Sequence, residues 1–247
     1  MEIINEESEI INYENKNIKI YSKIIDFGNN KKIIMSNFNK VEHIFNHFTI
    51  YKGKGVFYEN NLLEKIKQMN IEGTYIDCGA NIGNHSVYFL NFTKCKKLIS
   101  IEGHDKIFDL LKLNLKNNNK ENKEILNINK LIGETNNNNC FINLDDNNNC
   151  GTGYVNKEIG LKKEMITIDS LNLDEVSLIK LDVENYEFQV LKGAINTILK
   201  FKPIIIIELH NENPHYKEIL NFFKDNNYIS DGINYAKSPT FVYTYKN

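Results

Sequence analysis

The stretch Tyr75-Ile76-Asp77-Cys78-Gly79-Ala80-Asn81-Ile82-Gly83-Asn84-His85-Ser86 concentrates residue types that can seat a ligand. Its start reads as a buried strand, Gly79 and Gly83 flank a turn, and the residues after Gly83 read as a helix. In an open parallel sheet, ligands bind outside the carboxyl ends of the strands, which puts Asp77 and this turn in the wall of the site. Glycines let backbone approach a ligand, and the first helical amides point at it. The three glycines of GxGxxG, which seat a pyrophosphate, are absent, and Asp77 would repel a phosphate. The turn therefore suits a ligand with a cationic amine and hydroxyls but no phosphate.

Glu102 follows the strand-like run Lys97 to Ile101, 19 residues after Gly83. That is the spacing at which a nucleotide fold places a carboxylate on the ribose hydroxyls. A ribose without a pyrophosphate is the profile of S-adenosylmethionine. Two later strand ends carry Asp182, Glu184 and Glu187, and then Glu208 and His210. Period-2 alternation puts Asp182 and Glu184 on one side, and likewise Glu208 and His210. Methyl transfer to a hydroxyl gains from a general base, typically ~10²- to 10⁴-fold. The expected base is His210, oriented by Glu208, followed by Asp182 and then by His85 and His104. Asp182 and Glu208 are also chemically suited to Mg²⁺, which is not the favoured reading.

These groups need a scaffold. NIKIYSKIID and KKIIMSNF, joined at Gly28-Asn29-Asn30, read as an antiparallel hairpin, and NLLEKIKQM as a helix. From Gly73 onward strands and helices alternate: TYIDC, SVYFL, KLISIE, DKIFDLLKLNLK, EILNINKLI, VSLIKLDV, FQVLKGAINTIL and KPIIIIELH. Apolar strands alternating with helices imply a parallel sheet buried on both faces. The helix YKEILNFFKDN and the strands NYIS and TFVYTYK complete a seven-stranded count. Residues 134 to 168 read as a β-rich insertion. The asparagine clusters at 117–119, 136–139 and 147–149 are expected in solvated loops. The division expected is an N-terminal β extension, 1–55, on one domain, 56–247.

YIDCGANIGNHSVYF, LISIEGHDKIFDLLKLNL, ITIDSLNLDEVSLIKLDVENYEFQVLKGA and KPIIIIELH, over residues 55 to 215, resemble the FkbM family of S-adenosylmethionine-dependent methyltransferases. The resemblance implies an α/β Rossmann-like class I methyltransferase fold and transfer of methyl to a hydroxyl, usually of a sugar or natural product. It implies that Asp77, Gly79, Asn81 and Gly83 hold the methionine end of the donor and Glu102 its ribose. The sequence departs from the family's Glu-Pro-Asn at Glu102-Gly103-His104, and from its Asp-Val-Glu-Gly at Asn185. The alternatives are a catalytically idle module that binds the donor for regulation, and an NAD-linked oxidoreductase, against which the missing GxGxxG counts.

All 30 basic residues are lysine, about one residue in six is asparagine, and the net charge is -2. Without arginine forks or a basic excess, nucleic acid is not the expected partner. The acceptor should be a hydroxylated sugar or other small molecule, and a homodimer is compatible with everything in the sequence. No apolar run approaches eighteen residues and the start is acidic, so neither a membrane span nor a signal peptide is expected. The expected location is the cytoplasm, of a host cell if the gene is viral. Ile, Lys and Asn are all encoded by AT-rich codons, which accounts for the bias. Cys78, Cys95, Cys140 and Cys150 form no CxxC pair and are expected to be free thiols, with no zinc site.

Overall fold

The structure is a computed structural model and describes residues 3–13, 16–143, 154–156 and 160–246. In chain order the elements are β1 (Ile3–Tyr13), β2 (Lys16–Asp26), β3 (Lys32–Asn37), α1 (His43–His47), β4 (Thr49–Tyr51), β5 (Lys54–Val56), α2 (Asn60–Gln68), β6 (Glu72–Cys78) and α3 (Asn84–Phe92). There follow β7 (Lys94–Ile101), α4 (Asp105–Asn118), β8 (Glu124–Ile128), β9 (Leu131–Ile132), β10 (Asn137–Asn143), β11 (Tyr154–Asn156) and β12 (Leu161–Ile166). The chain closes with β13 (Leu178–Leu181), α5 (Glu187–Lys192), α6 (Ile195–Phe201), β14 (Ile204–Glu208), α7 (Tyr216–Asp225), β15 (Tyr228–Ser230) and β16 (Thr240–Tyr245).

Seven strands form the main sheet in the order β15-β16-β14-β13-β6-β7-β8, and only β16 runs against the others. This is the doubly wound arrangement that the resemblance implied. The inner strands carry apolar side chains on both faces, because both faces are covered. Tyr75, Leu98, Leu178 and Ile206 join one core with α2, α3, α4 and the N-terminal strands. Ile76, Ile99, Ile179 and Ile205 join the other, with α5, α6 and α7.

The N-terminal hairpin forms as expected. Gly28, Asn29 and Asn30 all take positive φ, and the Phe27 and Lys31 amides close the turn. β1 adds a third strand, giving the order β1-β2-β3. The free edge of β3 is occupied by two side chains of α4. Asn114 brackets the Ser36 N–H and C=O at 2.8 and 3.0 Å, and Asn118 brackets those of Ile34 at 2.9 and 2.6 Å. Four helical residues rise about 6 Å and two strand residues about 6.8 Å, so amides at i and i+4 match alternate strand positions.

The expectation that asparagines 117–119 and 136–139 sit in loops holds for Asn119 and Asn136 and is corrected for the others. Asn117 and Asn118 are helical, and Asn137 to Asn139 belong to β10. The third cluster, 147–149, and Cys150 lie outside the described residues. Cys78, Cys95 and Cys140 are free thiols.

Two expected elements are broken. EILNINKLI leaves the main sheet after Ile128, where the Asn129 side chain donates to the Glu102 carbonyl at 3.1 Å, and β9 joins a second sheet of order β11-β10-β12-β9. FQVLKGAINTIL divides at Gly193, where a β-carbon would stand 2.0 Å from the Gly133 carbonyl oxygen. Asp169 there accepts from the Asn196 and Thr197 amides and so caps α6. Among the described residues no helix is long and apolar enough to cross a membrane.

Candidate functional site

The turn after β6 is built by backbone. The Gly79 and Ala80 amides donate to the Ile101 carbonyl, both at 3.0 Å, and Gly79 and Asn81 both have positive φ. A β-carbon on Gly79 would lie 1.8 Å from the Asp182 carbonyl oxygen, so the turn after β6 and the end of β13 meet there without room for a side chain. Gly83, at φ +91°, opens α3 with no side-chain cap, which leaves its first amides available to a ligand. Glu102 ends β7 with both carboxylate oxygens held: the Asn81 amide donates at 2.9 Å and the His104 amide at 2.8 Å. Burial raises its pKa against those two amide bonds.

Both departures from the family pattern are accommodated. His104 caps α4, its ring accepting from the Lys106 amide. Asn185 takes φ +67°, the left-handed conformation open to glycine and tolerated by asparagine.

Asp77, expected to touch the ligand, is instead 0% exposed. Ser86 donates to its Oδ2 at 2.6 Å, and Lys180 Nζ lies 3.2 Å from Oδ1. Lys180 is itself 5% exposed, donates to the Gly79 carbonyl at 3.1 Å, and lies 3.2 Å from Asp182 Oδ2. The expectation that Asp77 repels a phosphate therefore fails, because its charge is matched beneath the turn. Burial would lower the Lys180 pKa, but Asp182 and Asp77 outweigh it and hold the ammonium charged.

A cavity of about 370 Å³ opens at the carboxyl ends of β6, β7, β13 and β14. Gly79, Asn81 and Glu102 line it, with Ile101, Leu131 and Ile132. Tyr58, Glu59, His85, Asp182, Glu184 and Glu208 also line it. Gly83, Asp77 and His210 are not in its lining. Asp182 and Glu208 are brought together in the lining, close enough for their carboxyl groups to shift each other's pKa. Burial, then the neighbouring Asp182, push Glu208 to about 9, so it carries a proton at neutral pH. Asp182 is held below its usual range: Lys180 and Glu208 outweigh burial. Glu184, at φ +52°, is pushed to about 7 by burial and by the charges of Asp182 and Glu187. His210 is 48% exposed, with Nε2 2.8 Å from Glu208 Oε1. Among the described residues no three His, Cys, Asp or Glu are arranged to hold a metal ion.

Sequence reasoning missed Lys180, Tyr58 and Glu59. Lys180 left a signal, a lone cation inside the apolar strand VSLIKLDV. Tyr58 and Glu59 left none, since their place depends on Asn84, whose side chain accepts from the Tyr58 amide and donates to the Tyr58 carbonyl at 3.2 and 3.0 Å.

The observed site fits S-adenosylmethionine. Side-chain-free backbone at Gly79, an uncapped helix start, a fixed carboxylate at Glu102 and an adjoining apolar wall match its amino acid, ribose and base, and the volume falls in the range of small-molecule pockets.

Among solved structures, the chain is similar to the methyltransferase FkbM from Methylobacillus flagellatus KT, with 20% identity, a TM-score of 0.54, and coverage of 83% of this chain and 49% of that one. This chain thus spans about half the length of that protein, and the likeness shows a shared fold. M. capricolum TrmK in complex with S-adenosyl-homocysteine is 12% identical over 75% of this chain and 68% of its own, with a TM-score of 0.45. A precorrin-6y C5,15-methyltransferase from Geobacter metallireducens GS-15 is 11% identical over 84% and 98%, also with a TM-score of 0.45. Among curated proteins none matches. The profile of the methyltransferase FkbM domain matches residues 77–230, from the buried aspartate beneath the glycine turn to the end of β15, and over that span, more than half its length, the chain belongs to the FkbM methyltransferase family.

Proposed function

We propose that this protein transfers a methyl group from S-adenosylmethionine to a hydroxyl of an uncharged sugar. The observation that carries the reading is what the one cavity brings together: the glycine turn and Glu102, suited to the donor, with ring and carboxyl groups left for an acceptor. The donor, when bound, supplies an electrophilic sulfonium methyl.

Gly79, Asn81 and Gly83 shape the turn for the methionine end, and Glu102 accepts from the ribose hydroxyls. Asp77 acts at one remove, holding Lys180 and through it the Gly79 carbonyl. Asp182, held charged beside Lys180, is a strong acceptor for a sugar hydroxyl, and the Tyr58 ring offers an apolar surface to a sugar. Both lysines of the lining are already paired, Lys180 with Asp77 and Asp182 and Lys130 with Glu164, so a phosphate or carboxylate on the acceptor would meet net negative charge. Asp182 and Glu208 orient the acceptor hydroxyl, with His210 holding Glu208 from outside. The reaction is mainly one of alignment, in which fixed groups replace the entropy cost of bringing two substrates together.

The test is transfer of labelled methyl to a panel of neutral sugars, glycans, hydroxylated natural products and their phosphorylated counterparts, beside calorimetry of donor binding. Labelled neutral sugars support the reading. Preference for phosphorylated acceptors overturns it, and donor binding without transfer to any acceptor points to the idle module.

A further inference from the structure

We propose that His85 is the proton acceptor for the reacting hydroxyl and that Glu59 positions it, an assignment resting on the O-methyl transfer reading above. His85 lines the cavity and is 6% exposed. Among the described residues neither of its ring nitrogens has a hydrogen-bond partner. Buried polar atoms are almost always paired, so an imidazole left free in a cavity wall is a group kept for a ligand. Asp182, the other candidate in the lining, is ion-paired with Lys180, and the other histidine candidates are committed elsewhere. His210 is half exposed beside Glu208 and outside the lining, and the His104 ring caps α4.

Glu59 is the neighbour that can orient the ring. Its side chain is 8% exposed, and Oε2 lies 3.2 Å from His85 Nε2, close but out of hydrogen-bonding line. The residue stands at φ +56°, a conformation disfavoured for glutamate, and Asn84, next to His85, ties the preceding Tyr58 to the start of α3. Strain held in place by such a clamp is typical of functional positions. Glu59 and His85 are thus fixed relative to each other from two separate elements.

In the step, the acceptor O–H bond breaks and its proton passes to a ring nitrogen of His85. The oxygen's electron pair forms the new C–O bond as the methyl C–S bond breaks, and that bond's pair stays on sulfur. The positive charge lost by the sulfonium appears on the imidazolium, against the Glu59 carboxylate, and the proton then leaves to solvent. Water barely reaches the ring nitrogens in the free protein, so the acceptor must press against the ring or turn it about its Cβ–Cγ bond.

The test compares His85→Gln, Glu59→Gln, His210→Gln and, as a remote control, His215→Gln. Turnover is measured on a sugar that the wild type methylates, and donor affinity by calorimetry. His85→Gln should bind the donor within about threefold of wild type and lose about 100-fold or more in kcat. Free imidazole should restore part of the activity of His85→Ala. Glu59→Gln should lower kcat about tenfold with little change in acceptor KM, and His215→Gln should behave as wild type. Turnover retained in His85→Gln, or lost together with donor affinity, overturns the assignment. So does a 100-fold loss in His210→Gln with His85→Gln active. A wild type that methylates no hydroxyl overturns the transfer reading itself, and the base with it.

Discussion

Lys180 sits between two carboxylates at the junction of β6 and β13, and its charge decides how the floor of the site holds together. A buried charge is tolerated only when paired, and removing one partner strands the others. Lys180→Met should therefore cost about 3–5 kcal/mol of stability by denaturant titration. Adding Asp77→Asn should recover part of that loss, because it removes one of the stranded charges. The protonated Glu208 makes a different prediction, on pH. Its folded pKa of about 9 lies above the ordinary carboxyl value, so the folded state binds more protons through the window between the two. Stability from this group is full below the unfolded pKa and is lost as pH rises through 9. Thermal melts from pH 6 to 9 should show a smaller decline in Glu208→Gln than in the wild type. An equal decline in both would place the proton elsewhere.

At the scale of elements, the chain uses asparagine where others use glycine or another strand. Among the described residues, eight of the twelve non-glycine residues at positive φ are asparagine, including Asn81 in the donor turn and Asn185 near Asp182. Its side chain tolerates the left-handed region better than that of most residues. Asn114 and Asn118 do a second job, closing the edge of β3 against α4. Asn118→Ala leaves the Ile34 N–H and C=O without partners and should cost about 1–3 kcal/mol for each buried group left unsatisfied. Asn117→Ala, one position along the same helix, makes none of these bonds and should change stability far less in the same denaturation experiment.

For the molecule as a whole, we propose the division expected from sequence, residues 1–55 as a β extension on the domain 56–247. The packing adds a condition. Ile25, Ile33, Met35, Phe45 and Phe48 share one core with Leu62, Val87, Phe89 and Leu111, so the extension covers a face of the main sheet rather than hanging from it. Residues 56–247 alone would expose that face, and apolar burial stabilises by roughly 25 cal/mol per Å². The shortened chain should aggregate or melt well below the full chain in light scattering and calorimetry. A truncated chain as stable as the full one would show the extension to be an independent unit.

The sequence by itself determined the parallel sheet, the glycine turn and the carboxylates at the strand ends, because these follow from local periodicity and from residue types with few alternatives. Gly79, Asn81, Glu102, Asp182 and Glu208 all stand at the sheet edge where their spacing put them. The tertiary structure alone decided which way each group faces and what it meets. Asp77 and Lys180 pair across adjacent strands about a hundred residues apart, so Asp77 turns from ligand contact to buried support. Glu59 reaches His85 only because an asparagine of α3 captures the chain before α2. Such encounters are set by strand register and by packing between distant segments, and local sequence carries neither.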